Sequence, residues 1–224
     1  MEFSVVVAAR TGSSRLPGKA LLPLQNLPMI TFLLRRLRGS REAARLILAT
    51  TVLPQDDLLA ELARREGVEV FRGPQDDVVE RYVRAAEHFG LDYVVRVTGD
   101  CPLTDAETLD YCLGLCRREG HFDLATTKGL FPVGIDYEVY QAATMHRLHQ
   151  AGVMDASHRE HLTKYFYDFP EGFRIVKLAP PPRWTSHRVF TVDTREDYEF
   201  CAGLAGRFPG PRFGLEQVLE ALGA

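Results

Sequence analysis

Phe3-Ser4-Val5-Val6-Val7-Ala8-Ala9-Arg10-Thr11-Gly12-Ser13-Ser14-Arg15-Leu16-Pro17-Gly18-Lys19-Ala20 is an apolar run that breaks into a basic, bend-forming loop. The consecutive β-branched residues Val5, Val6 and Val7 suit a strand buried on both faces, as in the middle of a parallel sheet. The small residues that follow let backbone N–H groups approach an oxygen-rich ligand, and Arg10, Arg15 and Lys19 neutralise it. A polyphosphate fits this pattern; a solvated turn is the plainer alternative. Two common phosphate loops are excluded by spacing. Five residues separate Gly12 from Gly18, Ala20 stands where a Walker A loop needs Ser or Thr, and the loop contains no G-x-G-x-x-G.

Outward from this stretch, strand and helix patterns alternate. Met29, Ile30, Leu33, Leu34 and Leu37 form a helical stripe, and Leu46 to Thr51 reads as a strand. Asp56 or Asp57 can cap a helix carrying Leu58, Leu59 and Leu62, after which Val68 to Phe71 is a third strand. Asp76 and Asp77 open an acidic helix start, and Asp92 to Val97 is a fourth strand. Thr104 with Glu107 makes a capping box for a helix over 105–119, and Phe122 to Thr126 follows as a strand. Successive strand–helix units with short turns predict an α/β fold of mostly parallel strands flanked by helices, in a single domain over 1–224. Ile135 to Tyr140 alternates instead, which predicts a small antiparallel excursion near 128–140. Pro180-Pro181-Pro182 reads as an extended connector, and 213–222 as a short amphipathic helix.

A formal charge of −3 over 224 residues gives no global basic field, so a nucleotide is a better ligand than a nucleic acid. No apolar stretch approaches the roughly 20 residues that span a bilayer, and a cytoplasmic protein with no membrane partner is expected. The four cysteines lack a C-x-x-C pair, which argues for reduced thiols and against a zinc ribbon. His146/His149 and His158/His161 are spaced three apart, but without H-E-x-x-H they read as surface or packing residues, with Ser157 and Glu160 as a capping box.

Two carboxylates stand out beside the loop. Asp100, in Thr98-Gly99-Asp100-Cys101-Pro102, follows a strand at the place where open α/β sheets bind ligands. Its alternative role is to cap the turn. Asp193 closes the run Arg188 to Val192, and with Thr194 and Asp197 able to cap the next helix it is free to act as a ligand. Asp136 and Glu138 share a face of the alternating strand and either contact a polar substrate or face water. Arg159, Glu160 and His161 sit at a helix start suited to an anionic or hydroxylated ligand. Brought together, a cationic loop and two carboxylates make a site for a metal nucleotide, with Mg²⁺ on Asp100 and Asp193.

Ala8-Ala9-Arg10 with Ser14-Arg15-Leu16-Pro17-Gly18-Lys19, then Gly99-Asp100-Cys101-Pro102 and Val192-Asp193-Thr194, resemble the cytidylyltransferase family over most of the chain. Arg72-Gly73, Asp76-Asp77-Val78 and Arg159-Glu160-His161 resemble most its spore-coat polysaccharide branch, related to the enzymes that make CMP-activated sugar acids. The resemblance implies a nucleotide-diphospho-sugar transferase fold (Rossmann-like, GT-A type). It also implies attack of a sugar or sugar-acid hydroxyl on the α-phosphorus of CTP, with release of pyrophosphate. Under it, Arg15, Lys19 and Asp100 are catalytic, and Arg10, Ser14, Arg15 and Lys19 hold the triphosphate. The backbone near Ala8 and Ala9 would form part of the base pocket, and Asp77 and Arg81 would reach base or ribose. It further implies a homodimer, with Phe131 to Tyr140 as the contact. Ala9 and Gly99 depart from common family residues, which bears on base selectivity. Two other functions compete. A glycosyltransferase of the same fold would usually show D-x-D, which Asp100-Cys101-Pro102 lacks. A catalytically silent nucleotide-binding subunit would not need Arg15, Lys19, Asp100 and Asp193 intact.

Overall fold

The computed structural model describes residues 1–223, and its core is a seven-stranded mixed sheet. The strands are β1 (Phe3–Ala8), β2 (Ala43–Thr51), β3 (Glu69–Gly73), β4 (Tyr93–Thr98), β5 (Leu124–Thr126), β6 (Glu138–Gln141) and β7 (Ile175–Lys177), in spatial order β3-β2-β1-β4-β6-β5-β7. β1 pairs in parallel with both β2 and β4, while β6 runs antiparallel between β4 and β5. The Val5–Val7 run lies where the pattern predicts, at the buried centre of the parallel half. The order reverses between β1 and β4, so the C-terminal ends of these two strands open a crevice at a topological switch point.

Helices cover both faces. On one face α1 (Met29–Leu37), α2 (Asp57–Arg65), α4 (Ala106–Glu119), α8 (Arg195–Ala205) and α9 (Leu215–Ala221) close over Val5, Val7, Val95 and Val97. On the other, α3 (Val78–Phe89), α5 (Ala142–Gln150) and the short α6 (Ala156–Glu160) and α7 (Lys164–Asp168) close over Val6, Ile47, Ala49 and Val94. Alternate residues of one strand thus feed two separate cores, the signature of a sheet covered on both sides. A two-stranded hairpin, 23–24 with 27–28, leads into α1.

Several local expectations need correction. The cap of α4 is Asp105, whose carboxylate accepts from the N–H groups of Glu107 and Thr108; the Thr104 hydroxyl instead donates to the carbonyls of Cys101 and Gly134. Likewise Asp155 with His158, rather than Ser157 with Glu160, forms the capping box of α6. Pro182 starts a 3₁₀ turn through Trp184, so the proline run bends. Residues 188–193 do not form a strand: Val189 makes an isolated bridge to Val133, and the segment is held by Phe190 N–H on the Val133 carbonyl and Val192 N–H on that of Asp100, just past β4. In the excursion, Phe131, Ile135, Tyr137, Val139 and Tyr140 are buried in this chain's own core, so they offer no dimer contact. Val133 is the large apolar side chain of that stretch left exposed.

Candidate active site

The 10–18 loop is closed at its base. The Thr11 carbonyl accepts from Ser13 N–H at 2.9 Å and from Gly18 N–H at 3.0 Å, closing the loop into a ring. Leu16 tucks into the core while Ser14 and Arg15 face outward. Gly18 has φ 70°, a left-handed turn that a side chain would disfavour, and it launches the 3₁₀ turn that aims Lys19 inward.

Lys19 Nζ is where the site converges. It donates to Asp100 Oδ2 at 3.1 Å, Asp193 Oδ1 at 3.0 Å and the Val192 carbonyl at 2.7 Å. Arg15 Nη2 reaches the same Asp193 oxygen at 2.9 Å. Asp100 and Asp193, distant in sequence, meet because Val192 N–H donates to the carbonyl of Asp100 itself at 2.8 Å, fastening the 188–193 segment to the end of β4. As predicted, Thr194 and Asp197 cap α8, and Asp193 is free of that task. Burial alone pushes the Asp100 carboxyl up. The Lys19 ammonium and hydrogen bonds from Thr98, Lys19 and Cys101 outweigh it and hold the group below the usual carboxylate range. Two hard oxygen donors gathered around a single cation are a donor set that fits Mg²⁺.

Gly99 explains the tight closure of β4 against β1. Its N–H donates to the Ala8 carbonyl at 2.8 Å, and a Cβ there would lie 2.7 Å from that of Ala9. The pair Ala9 and Gly99 is therefore one steric unit.

A cleft of about 420 Å³ lies over this convergence. It is lined by Ala8, Ala9, Arg10, Ser14, Arg15, Lys19, Arg81, Asp100, Glu160, His161 and Asp193 of the predicted set, and by Tyr82, Arg96 and Thr98, which were not anticipated. Arg81 is 3 % exposed, with Nη1 on the Pro74 carbonyl and Nε without a partner, a buried donor in the cleft wall. Burial, with the nearby Arg10, lowers its affinity for the proton. Arg96 carried a sequence signal, as the sole charge inside Tyr-Val-Val-Arg-Val of β4.

Four predicted residues do not line the cleft. Asp77 caps α3 through Glu80 N–H and pairs with Arg159 at 2.7 Å, so these two join α3 to α6. Asp136 accepts from Gly134 N–H. Glu138 is neither half-exposed nor solvent-facing: it is 2 % exposed and held by Arg96 (2.9 Å), Lys128 (3.0 Å), Thr163 (2.7 Å) and Tyr167 (2.7 Å). Burial raises its carboxyl, but Arg96, Lys128 and the two hydroxyls bring it below its ordinary value. Glu138 thereby fixes Arg96 and Lys128 at a second cavity of about 250 Å³, lined by these two with His161, Thr163, Lys164 and Tyr167. Arg96 and His161 belong to both spaces.

A crevice at the switch point, a basic loop on one lip and carboxylates on the other define a nucleotide-handling α/β protein. The chain belongs to the cytidylyltransferase family, whose profile matches residues 4–207. It is 32% identical to the spore coat polysaccharide biosynthesis protein SpsF of Bacillus subtilis over 207 residues, covering 89% of this chain and 84% of that one. Over 120 residues it is 34% identical to a 3-deoxy-manno-octulosonate cytidylyltransferase of Methylibium petroleiphilum, covering 51% of this chain and 44% of that one. A solved cytidylyltransferase from Leptospira borgpetersenii superposes with a TM-score of 0.92 at 32% identity, covering 100% of this chain and 94% of the other. Among the described residues no helix is long and apolar enough to cross a membrane.

Proposed function

We propose that the chain transfers CMP from CTP to the hydroxyl of a sugar acid for polysaccharide synthesis, with Mg²⁺ held by Asp100 and Asp193. The observation that carries this reading is the meeting of Lys19 Nζ with both carboxylates beneath a cleft whose other lip is the Arg10–Lys19 loop. In the reaction the acceptor oxygen forms a bond to the α-phosphorus, the α–β anhydride breaks, pyrophosphate leaves with the bonding electrons, and the hydroxyl proton passes to solvent. Lys19 and Arg15 hold the triphosphate and neutralise charge that grows on the departing oxygens. Arg81, buried in the cleft wall, would face the base or ribose. The bound Mg²⁺ would supply further neutralisation of phosphate oxygens and help to align them. The second cavity, with Arg96, Lys128 and Lys164 around a space that shares Arg96 and His161 with the cleft, supports an anionic acceptor over a neutral one. A homodimer and a cytoplasmic setting belong to the same reading, and sedimentation at the mass of one chain would remove the first.

The test is pyrophosphate release from CTP, GTP, UTP and ATP with Mg²⁺, against a panel of sugar acids and their neutral alcohols. CTP with a sugar acid is the expected pair. Hydrolysis of a UDP-sugar with CTP ignored would instead establish the glycosyltransferase, and nucleotide binding without turnover would establish the silent subunit.

A further inference from the structure

The Asp56 carboxylate is fully buried yet forms no ion pair among the described residues, and it does not cap α2, at whose N-terminus it stands. Its Oδ1 accepts from both the N–H and the hydroxyl of Thr11, each at 2.7 Å, and its Oδ2 accepts from the Thr51 hydroxyl. Asp56 belongs to the turn after β2, and that turn is itself rigid. Arg72 of β3 donates to the carbonyls of Thr51 and Leu53, both at 2.8 Å, and its Nη1 lies 2.6 Å from Asp57. Thr11 in turn holds Ser13 and Gly18 through its carbonyl, and Gly18 sets the start of Lys19. One continuous chain of hydrogen bonds therefore runs from β3 through Asp56 and Thr11 to the waist of the phosphate loop.

We infer that Asp56 is a positioning residue for triphosphate binding, acting only through Thr11. A negative charge placed behind an anion-binding loop opposes the anion electrostatically, so its presence is explained by geometry rather than by attraction. A carboxylate supplies stronger acceptors than an amide, and both donors of one residue on one oxygen fix that residue's backbone and side chain together. The loop's ring of N–H bonds closes on the carbonyl of that same residue, so its register depends on where Thr11 is held. The inference rests on the proposed use of the loop for CTP.

The experiment is Mg²⁺–CTP titration calorimetry and CTP kinetics on Thr11→Val, Asp56→Asn, their double variant and Thr11→Ser, with melting temperatures alongside. Each of the first two should weaken CTP binding by about 10- to 100-fold and raise KM for CTP more than it lowers kcat, leaving the acceptor KM unchanged. The double variant should fall no further than the worse single, because both changes break one link. Thr11→Ser keeps both donors and should remain within about 3-fold of the parent. CTP affinity unchanged in Thr11→Val and Asp56→Asn while the parent binds, or losses that multiply in the double variant, would overturn the inference. A parent that does not bind CTP would overturn the proposed function itself, a separate result.

Discussion

Replacing Lys19 by Met removes the cation at the centre of the site while keeping most of its volume. The ammonium is 13 % exposed and lies 3.1 Å from Asp100 and 3.0 Å from Asp193. At an effective dielectric constant near 20, each contact carries about 5 kcal/mol of gross attraction, much of it spent on desolvating the charges. Breaking a buried pair by removing one partner costs about 3–5 kcal/mol, and the remaining Arg15 contact with Asp193 reduces this to roughly 2–3 kcal/mol. For a chain of this size that is a fall in Tm of about 4–12 °C. Mg²⁺ should act in the opposite direction. In the parent a divalent ion must displace an ammonium from both carboxylates; in Lys19→Met it meets Asp100 without its lysine partner and Asp193 with Arg15 alone. A tenfold gain in cation affinity adds about 1.4 kcal/mol at saturation, or about 3–6 °C of Tm. Thermal melts with and without Mg²⁺, in the absence of nucleotide, read both effects. CTP turnover in the same variant should drop by about 10²–10³-fold, since a donor to developing charge is gone. An unchanged Tm, together with a Mg²⁺ response no larger than that of the parent, would refute the assignment of Lys19 as the counter-ion of these carboxylates.

Gly99→Ala should cost about 1–3 kcal/mol, because the new methyl meets Ala9 Cβ at 2.7 Å and the Ala8 carbonyl at 3.2 Å; melting and KM for CTP should both worsen, and a neutral outcome would show that β1 and β4 can part there. Glu138→Gln should lose about 3 kcal/mol at pH 7 by leaving Arg96 and Lys128 without their carboxylate. The folded carboxyl titrates below its ordinary value of 4.5, so its stabilisation is present above that pH and is lost as pH falls through the folded value. Denaturant melts should therefore show the gap between parent and variant narrowing as pH falls below 4.5, and a gap that stays constant all the way down that acid descent would contradict the role given to Glu138.

The parallel half of the fold was legible because Val5–Val7, Leu46–Thr51 and Asp92–Val97 are apolar runs that only a sheet covered on both sides can bury. Lys19, Asp100 and Asp193 were legible for a related reason: the two aspartates stand where an apolar run ends and Lys19 closes the basic loop that follows the first run. Glu138 was misread because alternation cannot tell a water-facing side chain from one matched by partners from three other segments. Asp77 and Arg159 lie outside the cleft lining because each is answered by the other, 82 residues away. Asp56 read as a helix cap because a cap and a loop-holding carboxylate look alike until Thr11, 45 residues earlier, is folded against it. Capping boxes were placed one residue early at α4 and two residues late at α6; Asp105 and Asp155, rather than Thr104 and Ser157, hold the free N–H groups. Short-range spacing alone does not choose between adjacent capping side chains.

The most direct measurement of the central claim follows the α-phosphorus of labelled CTP in the presence of Mg²⁺ and a sugar acid, for the parent and for Asp100→Asn and Asp193→Asn. The account predicts that label moves to the sugar acid with stoichiometric pyrophosphate in the parent, and that each variant is slower by about 10³-fold or more while still folded. Full transfer in either folded variant would contradict it.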